Sequence, residues 1–395
     1  MIDWVAVAQV LASGECYGPD EPVLGHVLPR SAPELVVSFP VEEFSGTWQE
    51  ALETVDSLVR QVLEETPREV GFSLGLSGGR DSRHLLMATR AVDRAVVECV
   101  TAQHWKPGAS SADVQGAQAL AAALELPLEV LPLARDRWAA EWEKNRRLGL
   151  RTVNHSWLLP MVERLGPERP LLDGLNGGNL LGRDALTRTW VERHGVQRPL
   201  PGEALDHAIR QLIRAPRKRL APWLKSPRIE RAVWKEAEER LESRFRSYVD
   251  YPNPFQAWSY LEHTRKGIAL APFALMGNDV VVCPYYDERV VTFGLSLPWS
   301  ISSRPDFQVE MLARAYPEVA SVPYAHEFPR EATSLAVDIA AEAESWKRVA
   351  PWLRGHVDED FVGRHPGTPG NRRMVLLAQA LAWEEQGQES ALASL

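Results

Sequence analysis

The sequence predicts an α/β protein: a parallel sheet flanked by helices, followed by a mostly helical C-terminal lobe. Three observations carry this. Between about residues 46 and 190, β-branched apolar runs alternate with helix-periodic stretches, the pattern of parallel strands joined by right-handed crossovers. A Gly78-Gly79 pair sits where the first of these strands meets a helix. Beyond about residue 190 the strand signals fade and helical spacing takes over.

Residues 1–45 read as irregular, with Gly18-Pro19-Asp20-Glu21-Pro22 followed by Pro29, Pro33 and Pro40. Ala51, Val55, Leu58, Val62 and Leu63 keep helical spacing from Trp48 to Glu65, and Pro67 stops that helix. The core then reads strand Val70 to Leu76, helix Asp81 to Ala91, strand Ala95 to Thr101, helix Ser110 to Leu124 and strand Leu128 to Leu133. Helices Asp136 to Leu148 and His155 to Leu165 lead to a short strand at Pro170-Leu171-Leu172-Asp173. In such sheets ligands sit at the carboxyl ends of the strands. In the lobe, 191–395, helical spacing marks Leu205 to Ile213, Ile229 to Tyr248, Phe255 to Met276, Val309 to Tyr316 and Met374 to Glu385.

Composition narrows the function classes. The 395 residues are 45% hydrophobic and 25% charged, enough for a sizeable core. No run approaches the roughly twenty apolar residues of a membrane span. Met1-Ile2-Asp3-Trp4 lacks the basic start of a secretory leader, so a cytoplasmic location is expected. Cys16, Cys99 and Cys283 fit neither a zinc pattern nor a disulfide framework, and Cys99 and Cys283 read as small buried hydrophobes. A net charge of −9 argues against nucleic acid as a partner. The Arg- and Lys-rich stretch Arg210 to Arg246 is interleaved with glutamates and reads as an ion-paired helix.

The chemistry concentrates in Leu76-Ser77-Gly78-Gly79-Arg80-Asp81-Ser82. The first turn of a helix leaves N–H groups unpaired and carries partial positive charge. Paired glycines let backbone approach an anion, Ser77 and Ser82 offer hydroxyl donors, and Asp81 suits a Mg²⁺ ion held against phosphate. The plainer alternative is a βα turn with Asp81 or Ser82 as a helix cap. Walker-type and dinucleotide-type glycine loops, H-E-x-x-H and C-x-x-C are absent from the sequence.

Leu-Ser-Gly-Gly-x-Asp-Ser resembles the pyrophosphate (PP) loop of the ATP-pyrophosphatase group, and most of the chain resembles the synthetase half of the asparagine synthetase family. Leu11 to Arg30 is similar to the junction that precedes that half. Leu171 to Gly182, containing Gly174-Leu175-Asn176-Gly177-Gly178-Asn179, resembles the second glycine-rich loop. Val282-Cys283-Pro284-Tyr285-Tyr286-Asp287 resembles a Pro-Phe-Leu-Asp element, with Phe293 to Pro298 following it. Leu312 to Pro317 resembles a Leu-Arg-Glu-Ala segment and its proline.

The resemblance implies an adenine nucleotide alpha-hydrolase-like, PP-loop fold, with ATP and Mg²⁺ as cofactors. It implies an AMP-forming amide ligase that adenylates a small carboxylate, which ammonia or an amine then attacks. Leu76, Ser77, Gly78, Gly79, Arg80, Ser82, Thr101, Gly174 and Gly177 would hold the nucleotide, and Asp81 with Asp173 the metal. Arg80 and Arg83 would add positive charge, with surface arginines as the alternative. The family opens on a catalytic Cys of a glutaminase; here Ile2 stands there, and about 45 residues precede the first long helix. The amine is therefore expected from elsewhere, delivery by another protein included. Gly178, beside Asn179, stands where the family places a metal-site Asp; Asp173 is its substitute or a strand-end turn residue. Gln308 and Glu310 stand near the family's phosphate-binding Lys; Arg265 or Lys266 would replace that charge, or face solvent. The spacing from Arg265 to Pro284 also exceeds that of true asparagine synthetases.

Two further functions stay open: a catalytically silent ATP-binding partner or sensor, and a tRNA-modifying PP-loop enzyme. His84 reads as a packing or surface residue rather than an acid–base group. Asn154-His155-Ser156-Trp157 reads as a helix cap, or as part of an acceptor pocket.

Overall fold

The computed structural model describes residues 1–17, 19–28, 35, 37, 41–67, 71–103, 109–132, 137–166, 169–175, 177–276, 281–329, 349–364 and 371–390. Gly18, Pro29, Arg30, Pro33, Pro40, Val70, Leu133, Asp136 and Asn176, all used above, lie outside these residues.

The chain is an α/β protein whose parallel sheet is flanked by helices, with helix predominating. Five strands form the sheet: β1 (Phe72–Gly75), β2 (Val96–Ala102), β3 (Leu128–Leu131), β4 (Leu171–Leu172) and β5 (Val281–Val282). Their order is β3-β2-β1-β4-β5, every pairing parallel, with Leu74 opposite both Cys99 and Leu172, and Leu172 opposite Val282. The chain steps outward from β1 to β3 and then returns to place β4 on the other side of β1. That reversal leaves a crevice at the carboxyl ends of β1 and β4, the place where open α/β sheets bind ligands.

Before and among the strands lie α1 (Trp4–Ser13), α2 (Trp48–Glu65), α3 (Arg80–Ala91), α4 (Ala109–Ala123), α5 (Arg137–Arg147), α6 (Leu159–Leu165) and α7 (Gly177–Leu181). The α2 boundaries are those the sequence predicts. Thr47 and Glu50 form a reciprocal capping box at its start, and Ala51, Leu52, Val55, Val59 and Leu63 are buried along one stripe. Residues 1–45 are not irregular throughout, because α1 lies inside them. Asp3 caps α1 by accepting from the Val5 and Ala6 amides at 2.9 and 3.2 Å, and Gly14 ends it at φ +102°. Val5 to Ala12 are all buried, so α1 has no polar stripe and shows no amphipathic period.

The lobe carries α8 (Ala185–His194), α9 (Pro201–Ile209), α10 (Ala215–Leu220), α11 (Arg231–Phe245), α12 (Pro254–Trp258) and α13 (Leu270–Met276). It continues with α14 (Glu288–Ser296), α15 (Trp299–Ser302), α16 (Phe307–Ala315), α17 (Glu359–Arg364) and α18 (Asn371–Ser390). Two π-helical segments, Arg210–Arg214 and Ser259–Ile268, interrupt what the sequence reads as regular helix. The lobe also supplies β5, a two-residue strand too short to show a period. Its pairing with β4 ties the lobe to the sheet, and the larger hydrophobic cluster runs from Ile2 to Trp383. Cys16, Cys99 and Cys283 are free and buried. No helix among the described residues is long and apolar enough to cross a membrane.

Candidate functional site

The Ser77–Ser82 turn leaves β1 at the crevice and starts α3. Gly79 occupies the cap position of α3 with no side-chain hydrogen bond to the helix, so the first-turn amides keep their positive end toward the crevice. Leu76, Ser77, Gly79, Asp81 and Ser82 line a pocket there. Thr101 and Ala102 close it from the end of β2, Trp157 and Met161 form an apolar side, and Asp173 and Gly174 close it from the end of β4.

Within the turn the hydroxyls hold the loop together. Ser82 Oγ accepts from the Ser77 amide at 3.0 Å and lies 2.9 Å from Ser77 Oγ, which accepts from the Gly79 amide at 3.2 Å. Ser77 and Ser82, expected to offer hydroxyls to phosphate, both line the pocket and also bond within the loop. Gly78 is placed differently from the expectation. It is buried, its amide donates to Asp113 Oδ1 at 3.0 Å, and it does not line the pocket. A Cβ on Gly78 would lie 2.8 Å from Ala325 Cβ, 2.9 Å from the Asp113 carbonyl and 3.1 Å from Gly116 Cα. The glycine is needed for close packing against α4 and the Ala325 turn. Gly78→Ala is therefore expected to lower stability by about 1–3 kcal/mol, measured by denaturant unfolding; an unchanged midpoint would contradict this packing role.

Asp81 faces the second glycine-rich stretch. Its Oδ2 accepts from the Gly178 amide at 3.0 Å and its Oδ1 from Gln308 Nε2 at 2.6 Å. Burial raises its pKa, and these two hydrogen bonds oppose the rise. Gly178 thus meets Asp81 through its backbone. Gly174 backs the loop so closely that a Cβ would lie 2.8 Å from the Ser82 amide nitrogen. Gly177, expected at the cofactor, is not a pocket residue: its missing Cβ makes room for the Tyr285 ring at 2.7 Å and Asp81 Oδ1 at 2.8 Å. Asp173 is raised to about 6, by burial first and by the charge of nearby Asp81.

The cations expected at the site do not line the pocket. Arg80 is outside the pocket lining, where its guanidinium donates to the Pro305 carbonyl at 3.1 Å. Arg83 is not a surface residue and does not line the pocket. It is buried, donates to the carbonyls of Val322 at 2.6 Å and Pro323 at 2.9 Å, and lies over the Tyr324 ring at 3.9 Å. Arg265 and Lys266 sit on the Ser259–Ile268 segment and do not line the pocket, and Lys266 pairs with Glu262 at 3.6 Å. No Lys or Arg is among the pocket's described lining residues.

Beneath the loop lies a buried polar chain that the sequence did not reveal. His84 Nε2 meets Asp56 Oδ1 at 2.9 Å and His84 Nδ1 meets the Tyr285 hydroxyl at 2.6 Å. Asp56 also accepts from the Tyr316 hydroxyl at 2.6 Å and Arg60 at 2.9 Å. Apolar spacing places Leu85 and Met87 in the core, but no local signal links His84 to residues 56 and 285. Asn154 and Ser156 do not cap a helix: Ser156 Oγ donates to Glu141 at 2.7 Å, and Asn154 Oδ1 accepts from Arg372 at 3.0 Å. Trp157 alone of that group reaches the pocket.

The fold and site together define an α/β protein with an uncapped helix start and three carboxylates, Asp81, Asp113 and Asp173, lining the pocket at the strand-order reversal of its parallel sheet. Compared with family models and with curated proteins, the chain finds no match.

Proposed function

We propose that this protein is an ATP-dependent, AMP-forming amide ligase of the PP-loop, asparagine synthetase-like kind, acting on a small carboxylate with ammonia or an amine. The observation that carries the reading is the α3 start: an uncapped helix N-terminus at the reversal of strand order, facing a pocket that also holds Asp81 and Asp173. A phosphate suits that position because oriented amides meet it at no cost in reorganisation. The fit for Mg²⁺ rests on the donor set. Asp81 and Asp173 supply two carboxylates, and among the described residues no group of three or more His, Cys, Asp or Glu side chains is placed to hold a metal ion. Two carboxylates completed by substrate phosphates is a common Mg²⁺ arrangement. When bound, the ion would neutralise charge on the departing pyrophosphate.

In the proposed reaction a substrate carboxylate oxygen attacks the α-phosphorus of ATP, and the bond to the β-phosphate oxygen breaks with its electron pair leaving on pyrophosphate. The amine nitrogen then attacks the acyl carbon, AMP departs, and the nitrogen loses a proton. The α3 amides would hold the phosphates, Trp157 and Met161 would exclude water from the apolar side, and Gln308 would fix the Asp81 carboxylate. Pyrophosphate release from ATP, measured across a panel of small carboxylates with ammonium present, tests the reading. Release dependent on one carboxylate is expected; folded protein that binds ATP and releases none with any of them would overturn it.

A second reading, a silent nucleotide-binding protein, is favoured by one observation. No cation lines the pocket among the described residues, and the Asp81 oxygens already accept from protein donors. Calorimetric ATP binding without turnover would support it.

A further inference from the structure

A second cleft, sharing no lining residue with the first pocket, opens where the π-helical segment Arg210–Arg214 and α10 pass α11. Arg193, Arg210, Arg214, Arg217 and Lys218 converge on it, against Asp206 and Glu238. Arg214 is satisfied by Glu238, through Nε at 3.1 Å and Nη2 at 2.9 Å. Among the described residues no ion pair engages Arg193, Arg210, Arg217 or Lys218. Four cations therefore face one remaining carboxylate, on a chain whose net charge is −9. The Nε of Arg210 is buried without a hydrogen-bond partner, and an orphaned guanidinium donor is costly unless a ligand meets it. Arg217 is steadied over the Trp234 ring at 5.8 Å. The field reaches inward: His207 is lowered to about 4, by burial first, with Arg210 and Arg193 adding to the shift.

We propose that this cleft binds a compact phosphate anion, a di- or triphosphate group either free or carried by a nucleotide. Arginine forks match phosphate oxygens in pairs. Residues 210, 214, 217 and 218 span about 12 Å of helix, room for several anionic oxygens but not for an extended strand. Along α11, most of the basic side chains are neutralised by ion pairs. On α11, Lys235 pairs with Glu239 at 3.1 Å and Arg240 with Glu236 at 2.6 Å, and just past its end Arg246 pairs with Glu242. Arg244 pairs with Glu262 at 2.6 Å. A nucleic-acid footprint needs a longer basic stripe. The π-helical turn that aims these side chains is a distortion often found at functional sites.

Hydrogen exchange on the full chain tests the proposal, with inorganic tripolyphosphate and a nucleoside triphosphate as separate probes. Protection of amides in 205–221 is expected, at least tenfold weaker in affinity in Arg210→Gln/Arg217→Gln and severalfold weaker in the exposed Lys218→Gln. Protection by tripolyphosphate alone identifies a free anion as the ligand; protection only by the nucleoside triphosphate identifies a nucleotide-borne group. No protection by either, protection unchanged in both variants, or protection only by RNA or polyglutamate would overturn it. Because 76–84 reports the first pocket separately, failure there leaves this outcome readable.

Discussion

Asp81→Asn is expected to lower pyrophosphate release by about 10²–10³-fold, the loss of one preorganised charge-stabilising group worth roughly 3–4 kcal/mol. The amide keeps one oxygen for the Gly178 amide or Gln308, now at 3.0 and 2.6 Å from the carboxylate, but removes the negative charge a metal needs. Far-UV circular dichroism and the unfolding midpoint are expected to stay near those of the parent, because buried Asp81 is raised in pKa rather than stabilised as an anion. Release within threefold of the parent would remove Asp81 from the chemistry. A large fall in the midpoint would mean that the carboxylate serves the fold.

Asp56→Ala is expected to have the largest effect on stability, a loss of about 3–5 kcal/mol, because removing one partner of a buried network strands the others. His84 is fully buried and Tyr316 is 5% exposed, so neither finds water when the carboxylate goes. For a chain of 395 residues such a loss moves the melting midpoint by roughly 4–6 °C. The effect depends on pH in a definite direction. Burial pushes the Asp56 carboxyl up, yet the hydrogen bond and charge of His84, the hydrogen bond from Tyr316 and the charge of Arg60 outweigh it and hold it below its ordinary 3.8. A carboxylate depressed in the folded state stabilises fully above its unfolded value and loses that contribution as pH falls through the folded one. The gap between parent and variant is therefore expected to be widest at neutral pH and to narrow below about pH 4. Thermal melts between pH 3 and 7 check this; a gap independent of pH would mean that only packing was lost.

The regular part of this architecture was legible because period and punctuation coincide there. Trp48–Glu65 carries a capping box, an apolar stripe and a following Pro67, and its boundaries are found as read. The strands Val96–Ala102 and Leu128–Leu131 announce themselves as apolar runs between helices. Helix Trp4–Ser13 was missed because a helix buried on every side has no polar face. Strands β4 and β5 have two residues each, too few for alternation; β4 is legible as the short run Pro170 to Asp173, and β5 only as the apolar, strand-like run that holds Cys283. The π-helical turns leave no mark in a pattern read at regular helical spacing.

The sequence by itself determined the turn at Ser77–Ser82, its place between a strand and a helix, and the alternation that makes the sheet parallel. These depend on neighbours within a few residues, where steric freedom and hydrophobic period act directly. Tertiary structure alone decided what each charged group faces. Arg83 turned inward to carbonyls near residue 320, Gly78 became a packing contact, Asp81 met Gly178 and Gln308, and His84 joined Asp56 to Tyr285. Such partners lie up to about 240 residues apart along the chain. Electrostatic and hydrogen-bond energies fall off over ångströms of space, so sequence separation carries no record of them until the chain has folded.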